Sequence, residues 1–174
     1  MILKHRPLLL GALAAVIAAA CADRTTAPVV LVPGTPVRAL ASAAPSVAIN
    51  EFLADPSAVT DDRGEWLELY NFGSTAVSLQ GWTLRSANDA AHTITTALSI
   101  PAGGRVVLGR DGSKSRNGGV TMSYVYGAAI TLANASDWIA VGDASGTTVD
   151  SVAWTSTTAG RAWGVRNAGA DNTV

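Results

Sequence analysis

From residue 47 onward, apolar positions recur at spacings of two rather than three and four. No long stretch carries the i, i+3, i+4, i+7 stripe that an amphipathic helix needs. Short runs rich in β-branched and aromatic residues alternate with turn residues instead. The pattern predicts strands at Val47–Leu53, Glu65–Phe72, Val77–Arg85 (interrupted by Gly81), Thr93–Thr96, Arg105–Gly109, Tyr124–Tyr126, Ile130–Leu132, Trp138–Gly142 and Val149–Trp154. In the second run Leu67 and Leu69 share one face, and Trp66, Glu68 and Tyr70 the other, because successive strand side chains alternate. Gly73-Ser74, Pro101-Ala102-Gly103-Gly104, Asp111-Gly112, Gly118-Gly119 and Asp143-Ala144-Ser145-Gly146 mark turns between runs. Eight or nine short strands in about 128 residues predict an all-β sandwich or closed barrel. This region holds no cysteine, so its stability must come from an apolar core. Trp66, Trp82, Trp138, Trp154 and Trp163 are expected to contribute to it, each bringing a large buried area.

The first 46 residues break this pattern. Lys4 and Arg6 precede Pro7–Ala20, an uncharged and mostly apolar run of 14 residues. A membrane-spanning helix needs about 20 such residues. The run fits the apolar core of a secretory signal peptide. Ala18-Ala19-Ala20-Cys21 then resembles the lipobox of bacterial lipoproteins, with Ala18 where that family prefers Leu. The resemblance implies a signal helix at 1–20, and lipidation of Cys21 as the mature N-terminus and membrane anchor. The alternative is an ordinary A-x-A site, cleaved after Ala20, and a secreted chain. Cys21 is the only cysteine, and a lone thiol on an exported protein invites oxidation, which lipidation prevents. Pro28, Pro33, Pro36 and Pro45 make residues 21–46 an extended Pro-rich linker. The predicted organisation is signal 1–20, lipidated Cys21 and linker 21–46, and a folded domain 47–174. Ala22 and Asp23 lean towards the outer membrane as the home of the anchor.

Composition narrows the classes. The chain is 48% hydrophobic and 14% charged, against roughly 25% charged for an average protein, so disorder is disfavoured. Twelve basic and 13 acidic residues give a net charge of −1; without Lys4 and Arg6 it becomes −3. That balance argues against electrostatically driven nucleic-acid binding, and no nucleic-acid partner is expected.

Four segments carry a resemblance: INEFLADP at 49–56, GEWLELYNFGSTAVSLQGWTL at 64–84, IPAGGRVVL at 100–108 and DWIAVGDASGTTVDSVAW at 137–154. In order and spacing they resemble the bacterial lamin-tail domain over about residues 47–168. The resemblance implies an immunoglobulin-like β-sandwich. It also implies a module attached to exported nucleases, phosphatases or adhesin-like chains, and so an accessory role. Family members continue past Gly160-Arg161-Ala162-Trp163 into another polar segment, whereas this sequence stops at Val174, so the resemblance implies either a naturally short end or a missing final strand or tail.

Candidate chemistry is sparse. Glu51, Glu65 and Glu68 are the only glutamates, and acidic residues are poor strand formers. With Asp55, Asp61 or Asp62 they could hold a Ca²⁺ ion, which takes six to eight oxygens. The plainer reading has them accept backbone amides or pair with an arginine, and no metal site is predicted. His92 is the only histidine after the signal. A triad with Ser86 or Ser99 and Asp89 would need spatial convergence, and no G-x-S-x-G elbow accompanies them. A solvated strand-edge histidine is the preferred reading. No H-E-x-x-H, phosphate loop or dinucleotide fingerprint occurs, so no catalytic residue and no cofactor is predicted. Arg105, Arg110, Lys114 and Arg116 could meet phosphate or anionic polysaccharide; Asp111 among them suggests a solvated loop instead. Binding is expected on loops 55–64, 86–91 and 110–119, with Asp61, Asp62, Asn88, Asp89, Arg110, Lys114 and Arg116 as candidates. The leading function is a non-enzymatic envelope lipoprotein with an unidentified protein or polysaccharide partner. The alternatives are a secreted carbohydrate-binding module, marked by an exposed Trp82, Tyr124 or Tyr126 platform, and a hydrolase accessory domain.

Overall fold

The structure is a computed structural model that describes residues 46–164. The signal segment, Cys21, the linker up to residue 45 and residues 165–174 lie outside the described residues. Eleven strands follow one another: β1 Val47–Leu53, β2 Trp66–Asn71, β3 Val77–Ser78, β4 Thr83–Ser86, β5 His92–Thr93, β6 Ser99–Ile100, β7 Arg105–Gly109, β8 Tyr124–Val125, β9 Asp137–Gly142, β10 Thr148–Trp154 and β11 Trp163–Gly164. They form a five-stranded sheet in the order β11-β1-β2-β7-β8, a four-stranded sheet in the order β10-β9-β4-β5, and a β3-β6 ribbon. Every pair is antiparallel except β7 with β8.

One core fills the space between the sheets. Ile49, Phe52, Leu67, Leu69 and Leu108 enter it from the first sheet, and Leu84, Ile139, Val141, Val152 and Trp154 from the second. Phe52 and Trp154 meet across it with ring centroids 4.6 Å apart. The β2 alternation is as the sequence predicts: Leu67 and Leu69 are buried while Trp66, Glu68 and Tyr70 are half-buried. In β1 the apolar phase switches from Val47 and Ile49 to Phe52 and Ala54. A bulge at Asn50 allows the switch, shifting the register from Ile49↔Leu69 to Glu51↔Glu68. This is an immunoglobulin-like β-sandwich without a disulfide.

Several expected elements differ. The predicted strand Val77–Arg85 is two strands: β3 in the ribbon and β4 in the four-stranded sheet. The break is the turn at Gln80-Gly81, where Gly81 takes φ +84°, a left-handed conformation that costs glycine little. Thr93–Thr96 contributes only His92–Thr93, and Ile130–Leu132 is not a strand. Asp61–Gly64 forms a single helical turn, α1, inside a segment expected to be loop. Of the five tryptophans only Trp154 is buried; Trp66, Trp82 and Trp163 are half-buried, and Trp138 points outwards.

Each flank of the sandwich is closed by a polar bridge. On one, the buried Asp150 of β10 accepts the Ile49 amide of β1 at 2.8 Å. On the other, His92 Nε2 of β5 and the Tyr124 hydroxyl of β8 share a hydrogen bond of 2.8 Å.

Candidate functional site

The crossover from β8 to β9 explains why Ile130–Leu132 leaves the sheets. Ile130 and Leu132 are buried in the core, so their segment must bury backbone as well. Buried amides need acceptors. Three consecutive amides find three carboxylates: Thr131 N–H donates to Asp89 Oδ2 at 2.6 Å, Leu132 N–H to Glu65 Oε2 at 3.1 Å, and Ala133 N–H to Asp137 Oδ2 at 2.9 Å. Asp89 also accepts the Ser86 hydroxyl at 2.6 Å. Asp137 Oδ1 accepts the amides of Ala87 and Trp138 at 3.0 and 2.8 Å.

Glu65 is the most buried of these acids, with no exposed surface. Arg110 Nη1 meets its Oε2 at 3.2 Å, while its buried Oε1 has no partner among the described residues. Burial pushes the Glu65 carboxyl up to about 7, against the lowering by the Leu132 amide and the Arg110 charge. Tyr126 stands behind it, and burial followed by the Glu65 charge raises its phenol far above the usual tyrosine range. Glu68 accepts Asn50 Nδ2 at 2.6 Å and pairs with Arg105 at 3.2 Å, and the Arg105 guanidinium lies 4.5 Å over the Tyr70 ring. Glu51 faces Glu68 across the ladder, and burial, then that neighbouring charge, raises its carboxyl.

Loop 110–119 is built by two side chains. Asn117 is buried, donates to the Asp111 and Val120 carbonyls at 2.7 and 2.9 Å, and accepts the Gly119 and Val120 amides. Arg116 grips Asp111 with two hydrogen bonds of 2.9 and 3.0 Å; that contact, with the Ser113 amide, holds the Asp111 carboxyl below its usual range. Loop 55–64 lies beside it. Gly64 is buried so tightly that a Cβ there would stand 2.5 Å from Val59 Cγ2. Between the two loops is a shallow groove of about 130 Å³. Leu53, Pro56, Val59 and Val120 form its apolar walls, and no titratable side chain lines it.

The sequence candidates therefore separate. Arg110 turns inward to Glu65, and Asp89 is consumed by the crossover. Asp61 accepts Asn134 Nδ2 at 3.0 Å. Arg116 is tied to Asp111. Asp62 is exposed, with a loose 3.9 Å contact to Arg63. Asn88 and Lys114 are exposed, and Cys21 is outside the described residues. Loops 55–64 and 110–119 share the groove; loop 86–91 belongs to the crossover instead. Among the described residues no serine hydroxyl bonds His92, whose ring is occupied by Tyr124 and whose pKa is lowered by burial. No three metal-ligating side chains gather among the described residues, so the acids are dispersed over separate contacts. The platform of Trp82, Tyr124 and Tyr126 is not formed. Tyr126 is buried, Tyr124 holds His92, and Trp82 packs against the core.

Sequence reasoning missed the structural work of Asn71, Asn117, Asp137 and Asp150. Asn71 is fully buried, donates to the Thr75, Ile100 and Pro101 carbonyls, and accepts the Gly73 amide. The available signal was a single polar residue in or beside an apolar strand run.

The two packed sheets define an immunoglobulin-like domain. The chain belongs to the lamin tail domain family, whose model matches residues 41–156. That family is one of non-catalytic immunoglobulin-like domains. No curated protein matches the chain.

Proposed function

We propose that the chain is an exported lipoprotein, anchored to a membrane through Cys21, whose lamin-tail sandwich serves as a non-enzymatic binding or architectural module outside the cytoplasm. One observation carries the non-enzymatic reading. Four of the acids within the family-like segments, Glu65, Glu68, Asp137 and Asp150, each accept main-chain amides or pair with another side chain. Carboxylates used in this way hold the fold together, which supports a structural role for them. Anchoring rests on the lipobox-like Ala18-Ala19-Ala20-Cys21 and on Cys21 being the only thiol.

The intact mass of the membrane-extracted protein tests the anchor. The expected mass is residues 21–174 plus a diacylglyceryl and an acyl group. Cys21→Ser should move the protein to the soluble exported fraction. An unmodified cleaved mass, or a Cys21→Ser variant that stays with the membrane, would overturn the anchor and leave a secreted module.

A further inference from the structure

The outer faces of the two sheets differ in charge. That of the five-stranded sheet carries Glu51 and Glu68 opposite one another, with Arg105 paired to Glu68. That of the four-stranded sheet carries Thr83, Arg85, Trp138, Ala140, Ser151 and Ala153, since their strand neighbours point into the core. None of these six is acidic, in a domain whose acids outnumber its bases.

Trp138 is 38% exposed, although a tryptophan in a strand normally buries most of its ring. The register explains the exposure. Ala153 is its partner across the β9–β10 ladder, and the next outward position on β9 is Ala140. Ala140 lies between Arg85 on β4 and Ser151 on β10. Its neighbours on this face are small, and Ala140 is itself covered, so the Trp138 indole is the largest side chain beside Arg85 here. Arg85 is exposed and sits diagonally from Trp138, at a Cβ separation of about 7–8 Å for such neighbours. It forms no ion pair among the described residues, whereas Arg63, Arg105, Arg110 and Arg116 all do.

We propose that the outer face of β4, β9 and β10 is a binding site for an acidic polysaccharide, one sugar ring stacking on Trp138 while its carboxylate pairs with Arg85. The apolar face of a pyranose matches the π-face of an indole in size. A guanidinium reads a carboxylate through two parallel hydrogen bonds. Charge selects among polymers: a uronate meets the Arg85 guanidinium and no carboxylate on this face. The inference deepens the binding-module reading and rests on it, but not on the anchor.

The test is calorimetric titration of the full chain in detergent with polygalacturonate, and with dextran as a neutral polymer. Polygalacturonate should bind and dextran should not. Trp138→Ala should weaken binding about tenfold or more, as lost stacking predicts. Arg85→Gln should weaken it about three- to tenfold and flatten its salt dependence, while Arg85→Lys retains part of the affinity. Unfolding midpoints of all three variants should match wild type, because both side chains point away from the core. No binding of polygalacturonate, equal binding of dextran, or a Trp138→Ala variant that binds as wild type would overturn the site. In the last case polymer binding stands and only its location falls. Cys21→Ser should bind polygalacturonate unchanged, so failure of the anchor is read separately by fractionation.

Discussion

At the scale of single residues, Glu65 sets a pH dependence whose sign can be worked out. Its folded pKa is about 7, against an ordinary value of 4.5. The folded state therefore holds an extra proton between those values. The group's stabilising contribution is complete below pH 4.5 and is lost as pH rises through 7, a change on the order of 3 kcal/mol. Glu65→Gln should remove this slope and be at least as stable as wild type at pH 8, measured by urea unfolding across pH. A loss at pH 8 of more than about 2 kcal/mol would show that the Arg110 ion pair outweighs the cost of burying the carboxylate. Asn117 makes a simpler case. Asn117→Ala deletes two donated and two accepted hydrogen bonds from loop 110–119. It should cost about 2–3 kcal/mol in the same assay, since the stranded loop carbonyls and amides are partly buried.

Among the elements, the crossover and the Gly81 turn carry the clearest expectations. Asp137→Ala strands the amides of Ala87, Ala133 and Trp138. Hydrogen exchange at those three amides should accelerate well beyond that of β2, and unchanged exchange would mean that the carboxylate does not hold the crossover. Gly81→Ala puts a Cβ on a residue at φ +84° and only 3.2 Å from the Ala144 Cβ. A loss of about 1–2 kcal/mol is expected, seen as a lower unfolding midpoint. These two elements also show where the sequence could be read and where it could not. β1, β7 and β9 were legible because each is a short apolar run bracketed by turn residues: Pro45 and Pro56 around β1, Gly104 and Gly112 around β7, Ser136 and Asp143 around β9. The Val77–Arg85 run looked continuous because period two continues on both sides of Gly81, and only the sign of its φ reveals the change of sheet. Ile130–Leu132 looked like a strand because two buried apolar residues around an exposed threonine read the same in one dimension whether a ladder or carboxylates satisfy the backbone. Those carboxylates lie 4, 42 and 67 residues from the amides they accept, so spacing along the chain does not reveal the arrangement. The loop candidates suffered from the same blindness, since Arg110 and Asp89 look exposed until their partners are in place.

For the whole molecule, two ionisations act in opposite directions. His92 has a lowered pKa, so its contribution is present above the ordinary histidine value of 6.5 and is lost as pH falls through the folded pKa. In Glu65→Gln, where the opposing slope is gone, stability should decline on acidification below pH 6.5. Adding His92→Gln should abolish the part of that decline above the ordinary aspartate value of 3.8, below which Asp111 also contributes; persistence above it would place its origin in other groups. The sandwich is otherwise held by one core and by its two flank bridges. The Asp150 bridge has a mechanical consequence. The chain enters the fold at Val47, on a strand laddered to β2 along its length, to β11 at Glu51 and Phe52, and pinned sideways by Asp150. A pull transmitted along β1 from an N-terminal tether must slide that strand past its neighbours, breaking many hydrogen bonds at once instead of peeling them singly. A load applied to the opposite sheet would pass through the shared core to β1, so force is spread over the whole ladder and no single bond takes it alone.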